Sequence, residues 1–469
     1  MISVDTLPDD VLIAIFDQYV NGGAQHPIVR GKAWQSLVHV CRRWRSIVFG
    51  SPRHLDLQLV CSVETPARDT LGVWPALPLV IWYNGYYQTG SVDNIIAGLE
   101  RCVRVCRIEL MFVQSSDLEI ILAAMQQPFP ELTLLLLTTF SETVQVVPDS
   151  FLGGSAPRLE YLMLDRITFP GLPKLLLSAT HLVDLSLDNI PHSGYISPDV
   201  MVTALSSLTS LRGLTLRFQS PRSFPDQASR RPPPSTRSIL LVLTFQFKGV
   251  SDYLEDLVAR IDAPRLNFLK ITFFNDTVFD TPQFIQFISR TPLSRELKIA
   301  HLTLRNREAG LGFSSRTAGV RIFSVNILCQ GLDWQLSSLE QVCTSCLPPL
   351  SKLEDLYTYE DPESQPDWKD DIENGLWLQL LHSFAAVKNL YLSEEIARRI
   401  GPALQELAEG RTTEVLPALQ NIILDGLESS GPVQEGIAKF VAARQAASRP
   451  IEVSNWANSD TDKDYYYDT

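Results

Sequence analysis

Two cysteine pairs are the residues whose types and spacing come closest to a chemical site. Cys343-Thr344-Ser345-Cys346 has the spacing of metal-binding and redox pairs, and Cys102 and Cys106 lie one helical turn apart beside a predicted strand. A structural metal site needs further ligands, and no second pair follows at a workable distance. Because free cysteines mostly behave as small buried hydrophobes, we expect structural roles for both pairs. The sequence therefore predicts no metal, no cofactor and no thiol-dependent activity.

Other catalytic patterns are missing from the sequence. It contains no Walker-type phosphate loop, no H-E-x-x-H and no G-x-S-x-G nucleophile elbow. Gly310-Leu311-Gly312 is too short to indicate dinucleotide binding, and the histidines are scattered, away from one another and from the cysteine pairs. These observations predict a binding protein and not an enzyme.

Composition restricts the class of protein further. The 469 residues are 45% hydrophobic and 20% charged, which is typical of a soluble chain with a core, and the formal net charge is −13. That charge opposes nucleic-acid binding, which requires clustered positive charge. The longest apolar runs fall far below the ~20 residues that span a bilayer. Sparse cysteines without a signal peptide predict an intracellular protein of the cytoplasm or nucleus.

The first residues predict a short helical module. Leu7-Pro8-Asp9-Asp10-Val11-Leu12 places Pro8 at a suitable first helical position, and acidic residues in the first turn complement the helix dipole. Apolar residues then follow a helical period as far as Tyr19, and Asn21-Gly22-Gly23 ends the helix. A second apolar helical pattern runs from Trp34 to Val48. So small a module buries little core alone and needs a partner or an adjoining domain.

Residues 3–50 resemble an F-box, through Leu7-Pro8 to Phe16 and through the segment Val40-Cys41-Arg42-Arg43-Trp44-Arg45. The resemblance implies a module that joins a Skp-type adaptor in a cullin-based ubiquitin ligase. Phe16 and Trp44 are expected to fill the core of the module. Leu7 and Pro8 precede the first helix and can project outward, so they are expected to contact the adaptor directly. The full set of adaptor-binding residues that the resemblance implies is Leu7, Pro8, Leu12, Ile15, Phe16, Leu37, Val40, Cys41 and Trp44. The alternative is an ordinary helical cap on a larger domain.

After residue 55 the pattern apolar-x-x-apolar-x-apolar recurs at intervals of 23 to 34 residues. Its copies start at Val105, Leu132, Leu159, Leu182, Leu211, Leu240, Leu266, Ile299, Ile322, Leu353, Val387 and Leu419. This period is typical of leucine-rich repeats, in which each unit supplies one strand and one helix or turn. The predicted fold is therefore α/β, with an N-terminal helical F-box followed by a leucine-rich-repeat-like βα solenoid over residues 55–450. Residues 455–469 are predicted to be a disordered acidic tail.

The segments between the predicted strands contain helix signals. Ser197-Pro198-Asp199 and Thr281-Pro282 predict capped helix starts, and Val200 is expected on the buried side of its helix. Two segments, Pro221 to Arg237 and Glu360 to Asp371, are proline-containing and polar, and are predicted to be loops.

The repeats depart from the standard form at the ninth position, where asparagine or cysteine is usual. Apolar residues stand there instead, which predicts irregular geometry without an asparagine ladder: Val113, Phe140, Ile167, Ile190, Phe274 and Leu427. Many fungal F-box proteins are similar, and Ala156-Pro157-Arg158-Leu159 carries that resemblance.

Alternate positions of the repeats predict which side chains face a partner. The candidates for substrate binding are Tyr161, Asp184, Phe268, Tyr357, Tyr359 and Tyr391. Tyrosine suits a protein interface, although its strand propensity alone explains its presence equally well. The favoured function is the substrate-recognition subunit of a Skp–cullin–F-box ubiquitin ligase, acting on an unidentified protein. The alternative is a leucine-rich-repeat scaffold or ligand sensor outside ubiquitination.

Overall fold

The structure is a computed structural model. It describes residues 7–22, 27–64, 67–87, 91–140, 145–223, 237–274, 281–295, 297–315, 322–329, 331–345, 347, 350–360, 373–408, 411, 413–425 and 432–455. The chain divides into two compact units. Unit 1 comprises Met1–Leu211 with Arg222–Phe224, and unit 2 comprises Arg212–Pro221 with Pro225–Thr469. Most of the two predicted proline-containing loops, the acidic tail from residue 456 onwards, Cys346 and Leu427 lie outside the described residues.

Unit 1 begins with three helices and continues with alternating strands and helices. Its elements are α1 Asp9–Asn21, α2 Pro27–Val38, α3 Arg42–Gly50, β1 Leu59–Cys61, α4 Ala67–Val73, β2 Leu79–Asn84, α5 Asp93–Leu99, β3 Val105–Val113, α6 Ser115–Ala124, β4 Leu134–Thr139, β5 Gln145–Val146, β6 Tyr161–Asp165, β7 Ile167–Thr168, α7 Leu172–Ser178, β8 Asp184–Ile190 and α8 Pro198–Ser206. Strands β1, β2, β3, β4, β6 and β8 are neighbours in that order and pair in parallel. Strands β5 and β7 form a separate short parallel pair.

Unit 2 repeats the alternation of strand and helix. Its elements are β9 Gly213–Phe218, β10 Ser238–Ile239, β11 Thr244–Gly249, α9 Ser251–Val258, β12 Ile261–Asp262, β13 Phe268–Phe274, α10 Pro282–Arg290, β14 Ile299–Arg305, β15 Glu308–Ser314, β16 Phe323–Leu328, α11 Leu332–Ser345, β17 Asp355–Glu360, α12 Asn374–His382, β18 Asn389–Leu392, α13 Glu394–Leu407, β19 Asn421–Leu424, α14 Pro432–Ala446 and β20 Glu452–Asn455. Strand β20 lies beyond the predicted end of the repeats at residue 450.

The predicted strand repeats are confirmed in both units. In unit 1, Leu135, Leu162 and Leu185 lie opposite one another on adjacent strands, and all three are buried. In unit 2, the same holds for Leu356, Leu390 and Ile422. Side chains alternate between the two faces of a strand, so this register buries one face of each sheet beneath the helices. A row of in-register aliphatic residues is therefore the basis of the core.

The strand register corrects a predicted repeat position. In the copy that starts at Leu240, Phe245 and not Leu243 lies opposite Leu214 and Leu269. Leu243, the predicted second apolar residue of this copy, thus lies just before β11. The reason is that register follows pairing with the neighbouring strands, which a local pattern does not encode.

The array is interrupted in unit 2 by an antiparallel strand. The spatial order of the strands is β13, β16, β15, β14, β17. After β13 the chain therefore skips two positions in the sheet to form β14, and then returns through β15 to form β16 beside β13. Strand β15 pairs antiparallel with both β14 and β16, while β13 pairs with β16 and β14 pairs with β17 in parallel. The copies starting at Ile299 and Ile322 are therefore strands that do not neighbour each other, and a three-stranded meander replaces two simple repeats.

Helices α8 and α10 begin where the sequence predicts, but the predicted capping hydrogen bonds are absent. Pro8 lies at the N-cap of α1 and not at its first helical position, since its ψ angle is 154°. The side chains of Ser197 and Thr281 make no capping hydrogen bond. Instead, the Glu255 carboxylate from α9 accepts hydrogen bonds from the backbone N–H groups at positions 283 and 284, at 2.9 and 2.7 Å. The start of α10 is thus capped by the preceding helix.

One further expectation about side chains is corrected. Val200 is exposed on α8, where Met201, Ala204 and Leu205 are buried instead. A polar ladder does occur, but on the strands: the Asn421 Nδ2 donates to Asn389 Oδ1 at 2.7 Å, and the Asn389 Nδ2 donates to Asp355. The ninth-position residues Val113, Ile167, Ile190 and Phe274 are buried, whereas Phe140 is exposed.

No helix among the described residues is both long enough and apolar enough to cross a bilayer.

Candidate functional site

The first candidate site is the helical module α1–α3 of unit 1. Its helices are held at one end by Arg43, whose Nη2 donates to the Leu7 carbonyl oxygen at 2.5 Å. The same nitrogen forms an ion pair with Asp9 at 2.7 Å. Cys41 caps α3, because its Sγ accepts a hydrogen bond from the Trp44 backbone N–H at 3.4 Å. These contacts bring the start of α3 beside the start of α1.

Three of the predicted adaptor-binding residues form the core of the module. Leu12, Phe16 and Leu37 are all buried. The Phe16 and Trp44 rings lie 4.7 Å apart, with Trp44 partly exposed. A buried side chain offers a partner little contact area. Leu12, Phe16 and Leu37 therefore act by supporting the surface residues.

The other predicted adaptor-binding residues lie at the surface of the module. Pro8, Ile15, Val40 and Cys41 are exposed, and Leu7 is partly exposed. Val11 and Tyr19 lie on the same face of α1 as Ile15, although the sequence did not single them out for binding. Val11, Ile15 and Tyr19 are 40%, 49% and 56% exposed. Their spacing of four residues places them on one face of α1, and this spacing was the available sequence signal.

The module is attached to the strands of unit 1 through α2. The Trp34 Nε1 donates to the Gln58 carbonyl oxygen at 2.9 Å. The buried Trp34 ring packs edge-on against Trp74 at 5.1 Å and against Phe49 at 6.0 Å. Helix α2 also packs on β1 and β2. A module of this size gains from such an anchor, because its own core is small.

The second candidate site is the open face of unit 2, the side of its sheet that points away from the buried rows. Its central feature is a ladder of rings on β14, β17 and β18. Tyr357 and Tyr391 stack at 3.9 Å with 5° between their planes, and His301 stacks on Tyr357 at 5.2 Å. Tyr359 lies 6.5 Å from His301. The structure therefore brings together three of the predicted substrate-binding tyrosines, with His301 as an addition.

The remaining predicted substrate-binding residues lie elsewhere. Phe268 is on β13, and strands β16, β15 and β14 separate it from Tyr357. Tyr161 and Asp184 belong to unit 1, where they lie directly opposite each other on β6 and β8. Burial raises the pKa of the Asp184 carboxyl above its ordinary value. The set thus divides into one group on unit 2 and one pair on unit 1.

Of the two cysteine pairs, the structure describes Cys102, Cys106 and Cys343. Cys343 is buried on α11, and Cys102 and Cys106 are partly buried. Burial raises the pKa of the Cys106 thiol to about 11, which disfavours the reactive thiolate, and its Sγ donates to the Leu79 carbonyl oxygen at 3.3 Å. Across the described part of the chain, His, Cys, Asp and Glu side chains nowhere gather in threes that could hold a metal ion.

Comparisons with known proteins provide little beyond this geometry. No protein-family model matches the sequence, and no curated protein is a significant match. Among solved structures, the leucine-rich repeat-containing protein LegL7 from Legionella pneumophila is similar over 82% of this chain and 97% of that chain, with 12% sequence identity and a TM-score of 0.27. A similarity at this TM-score carries no argument about function. The two surfaces described above therefore rest on their own residues.

Proposed function

We propose that this chain is the substrate-recognition subunit of a Skp–cullin–F-box ubiquitin ligase, working in the cytoplasm or nucleus without chemistry of its own. In this proposal α1–α3 dock a Skp-type adaptor, and the strand repeats hold a protein substrate. The observation that carries the proposal is the apolar surface on α1 and on the turn before α3. It includes Pro8, Ile15 and Val40 of the F-box-like motif.

The size of this surface is consistent with adaptor docking. Val11, Ile15, Tyr19 and Val40 each leave 40–58% of their surface exposed. Since complete burial of such a side chain is favourable by ~1.5–3 kcal/mol, covering the exposed half of all four contributes roughly 3–6 kcal/mol. Association costs at least ~4 kcal/mol in lost freedom, so these four residues alone support only weak binding. The adaptor must therefore contact the ends of the helices as well, where Leu7, Pro8 and Cys41 lie.

The ring ladder supports the substrate-binding half of the proposal. Tyr357 and Tyr391 are held rigidly by stacking, so little side-chain entropy is lost when a partner covers them. The strand propensity of tyrosine is the competing explanation, because the same stacking also stabilises neighbouring strands. Capturing partners of the wild-type chain with degradation blocked, followed by mass spectrometry, would identify the substrate.

A leucine-rich-repeat scaffold or ligand sensor outside ubiquitination is the second candidate. In this case the repeats still bind a partner, but the helical module does not link the chain to a cullin. The two candidates are distinguished by a pull-down with the Skp-type adaptor, in the presence and absence of the cullin. Recruitment of the cullin through the adaptor supports the ligase, and adaptor binding that excludes the cullin supports the scaffold.

The adaptor surface is tested by a double variant, Leu7→Ala with Pro8→Ala. Both residues precede α1 and neither is buried, so the variant should fold as the wild type by circular dichroism but lose adaptor binding. A second variant, Ile15→Ser, tests the face of α1. The matched control is Val73→Ser, an exposed apolar residue at the end of α4. Unchanged co-purification of the adaptor with the first two variants, or no association of the wild-type chain, contradicts the proposal.

A further inference from the structure

A cluster of exposed aromatic rings lies at one edge of unit 1. Tyr86 packs on Phe112 at 4.3 Å and edge-on against Phe140 at 4.4 Å, and Phe112 and Phe140 are 4.9 Å apart. Tyr87 lies beside Tyr86 at 6.5 Å. Tyr86, Tyr87 and Phe140 are 60%, 81% and 40% exposed. We call these four residues the aromatic edge cluster.

The backbone builds this cluster from the carboxyl ends of three adjacent strands. Tyr86 follows β2, Phe112 is the last residue but one of β3, and Phe140 follows β4. The Tyr86 backbone N–H donates to Asn84 Oδ1 at 3.0 Å, and the Phe112 backbone N–H donates to Thr138 Oγ1 at 2.8 Å. A side chain of the same strand thus holds the backbone at Tyr86, and a side chain of the neighbouring strand holds the backbone at Phe112.

The backbone at Phe112 is strained. Phe112 has a φ of +56°, a left-handed conformation that costs a residue with a side chain roughly 1–2 kcal/mol. Gly85 approaches it so closely that a Cβ at position 85 would lie 2.2 Å from the Phe112 carbonyl oxygen. Strained backbone at a surface feature often belongs to a binding site, and grouped exposed rings mark an interaction surface.

The adjoining open face of unit 1 is acidic. Asp165 on β6 lies opposite Thr138 on β4, two residues before Phe140, and Asp188 on β8 lies opposite Asp165. Asp184 lies at the other end of β8. On the open face of β3, Arg107 is paired with Glu109 at 2.8 Å. The face therefore has an excess of negative charge.

A cation, Arg166, lies at the same edge. Arg166 follows β6, and its Nη1 donates to the Phe140 carbonyl oxygen at 3.5 Å. It offsets part of the charge of the neighbouring Asp165. The four carboxylates named on this face still outnumber its two named arginines in formal charge. Burial raises the pKa of Asp165 and of Asp184, and a cation placed beside these carboxylates would favour their charged forms.

We propose that the aromatic edge cluster and the adjoining acidic face bind a basic peptide segment of a partner protein. The aliphatic stem of a lysine or arginine, or a neighbouring apolar residue, packs on Tyr86, Phe112 and Phe140. The positive charge lies over the rings or reaches the carboxylates of β6 and β8, which are about one and two strand spacings of ~4.8 Å from β4. The inference rests on the proposed substrate-binding role of the repeats and makes no use of the adaptor.

The test measures binding of three fluorescent peptides to the full-length chain by anisotropy. One alternates leucine with lysine or arginine, the second has glutamate in place of each basic residue, and the third is proline-rich. The basic peptide should bind at least about tenfold more tightly than the other two, a difference of ~1.4 kcal/mol. Its affinity should fall as salt is added, because exposed charges are screened.

Variants locate the binding to the cluster. Tyr87→Ser alone, and Tyr86→Ser with Tyr87→Ser, should weaken the basic peptide progressively, with a loss of about tenfold for the double variant. Asp165→Asn with Asp184→Asn should weaken it and reduce its salt dependence. Val103→Ser is the matched control, an exposed apolar residue just before the opposite end of β3.

Three results overturn the inference. These are no binding of the basic peptide at millimolar concentration, equal binding of all three peptides, and unchanged binding by the tyrosine variants. Thermal unfolding of each variant confirms that it is folded; Tyr87→Ser alters a side chain that is mostly in solvent and keeps the test valid if Tyr86→Ser disturbs the edge. Adaptor pull-down is measured in parallel. If the wild-type chain binds the adaptor but not the basic peptide, this inference alone is contradicted.

Discussion

Truncation of one buried repeat leucine, compared with truncation of its neighbour on the same strand, tests the repeat core most directly. Leu162 on β6 lies between Leu135 and Leu185, and all three are buried. Tyr161 points to the opposite face of the same strand and is exposed. Leu162→Ala and Tyr161→Ala therefore alter adjacent residues on opposite faces of β6.

The expected losses follow from what each side chain contacts. Leu162→Ala removes about three carbon groups, each contributing ~0.8 kcal/mol when buried, or roughly 2.4 kcal/mol. The strands that carry Leu135 and Leu185 are held by their own hydrogen bonds and cannot close the space. A residual cavity adds ~24 cal/mol per Å3, so a total loss of about 3–4 kcal/mol is expected. Tyr161→Ala should cost less than ~1 kcal/mol, as an exposed change away from the core.

Urea unfolding followed by circular dichroism measures both losses. The midpoint of Leu162→Ala should fall clearly while the slope of the transition stays that of the wild type. Equal losses for the two variants, or a loss below ~1 kcal/mol for Leu162→Ala, would refute the assignment of the two faces.

Three further outcomes are expected. Arg43→Met removes a partly exposed ion pair and should lower stability by at most ~1 kcal/mol while weakening adaptor co-purification, because the ends of α1 and α3 separate. Gly85→Ala places a Cβ 2.2 Å from the Phe112 carbonyl oxygen and should lower the melting temperature, whereas Gly375→Ala in α12 meets no atom and should raise it slightly, as scanning fluorimetry would show. Burial raises the pKa of Asp184, so this carboxyl stabilises the fold below its unfolded pKa and loses that contribution as pH rises through its folded pKa. Asp184→Asn should therefore stabilise the chain at neutral pH, with a benefit that shrinks in urea titrations as pH is lowered through the carboxyl range.

The repeats were predictable because their signal is local. Apolar residues at fixed spacing identify a strand and the face that it buries, and the side chains of a strand alternate regardless of its neighbours. Leu135, Leu162 and Leu185 were found in this way, as were the helices that follow the strands. The exposure of Tyr161 followed from the same alternation.

The order of the strands could not be predicted from the same pattern. The copies at Ile299 and Ile322 have the repeat motif, yet β15 lies between them as an antiparallel strand. Residues 308–314 include Gly310 and Gly312 and lack the motif. Pairing is chosen by hydrogen bonds between distant segments, so a segment with little pattern of its own can be inserted wherever two edges accept it.

For the two candidate surfaces, too, the sequence indicated some features and only the tertiary structure decided others. Helical spacing in the sequence placed Val11, Ile15 and Tyr19 on one side of α1, but only packing against α2 and α3 decided that Leu12 and Phe16 face inward and these three face solvent. The aromatic edge cluster had no sequence signal, because Tyr86, Phe112 and Phe140 come from successive strands about 27 residues apart. Parallel pairing sets their strand ends side by side at a spacing of ~4.8 Å, and that proximity exists only in the folded chain.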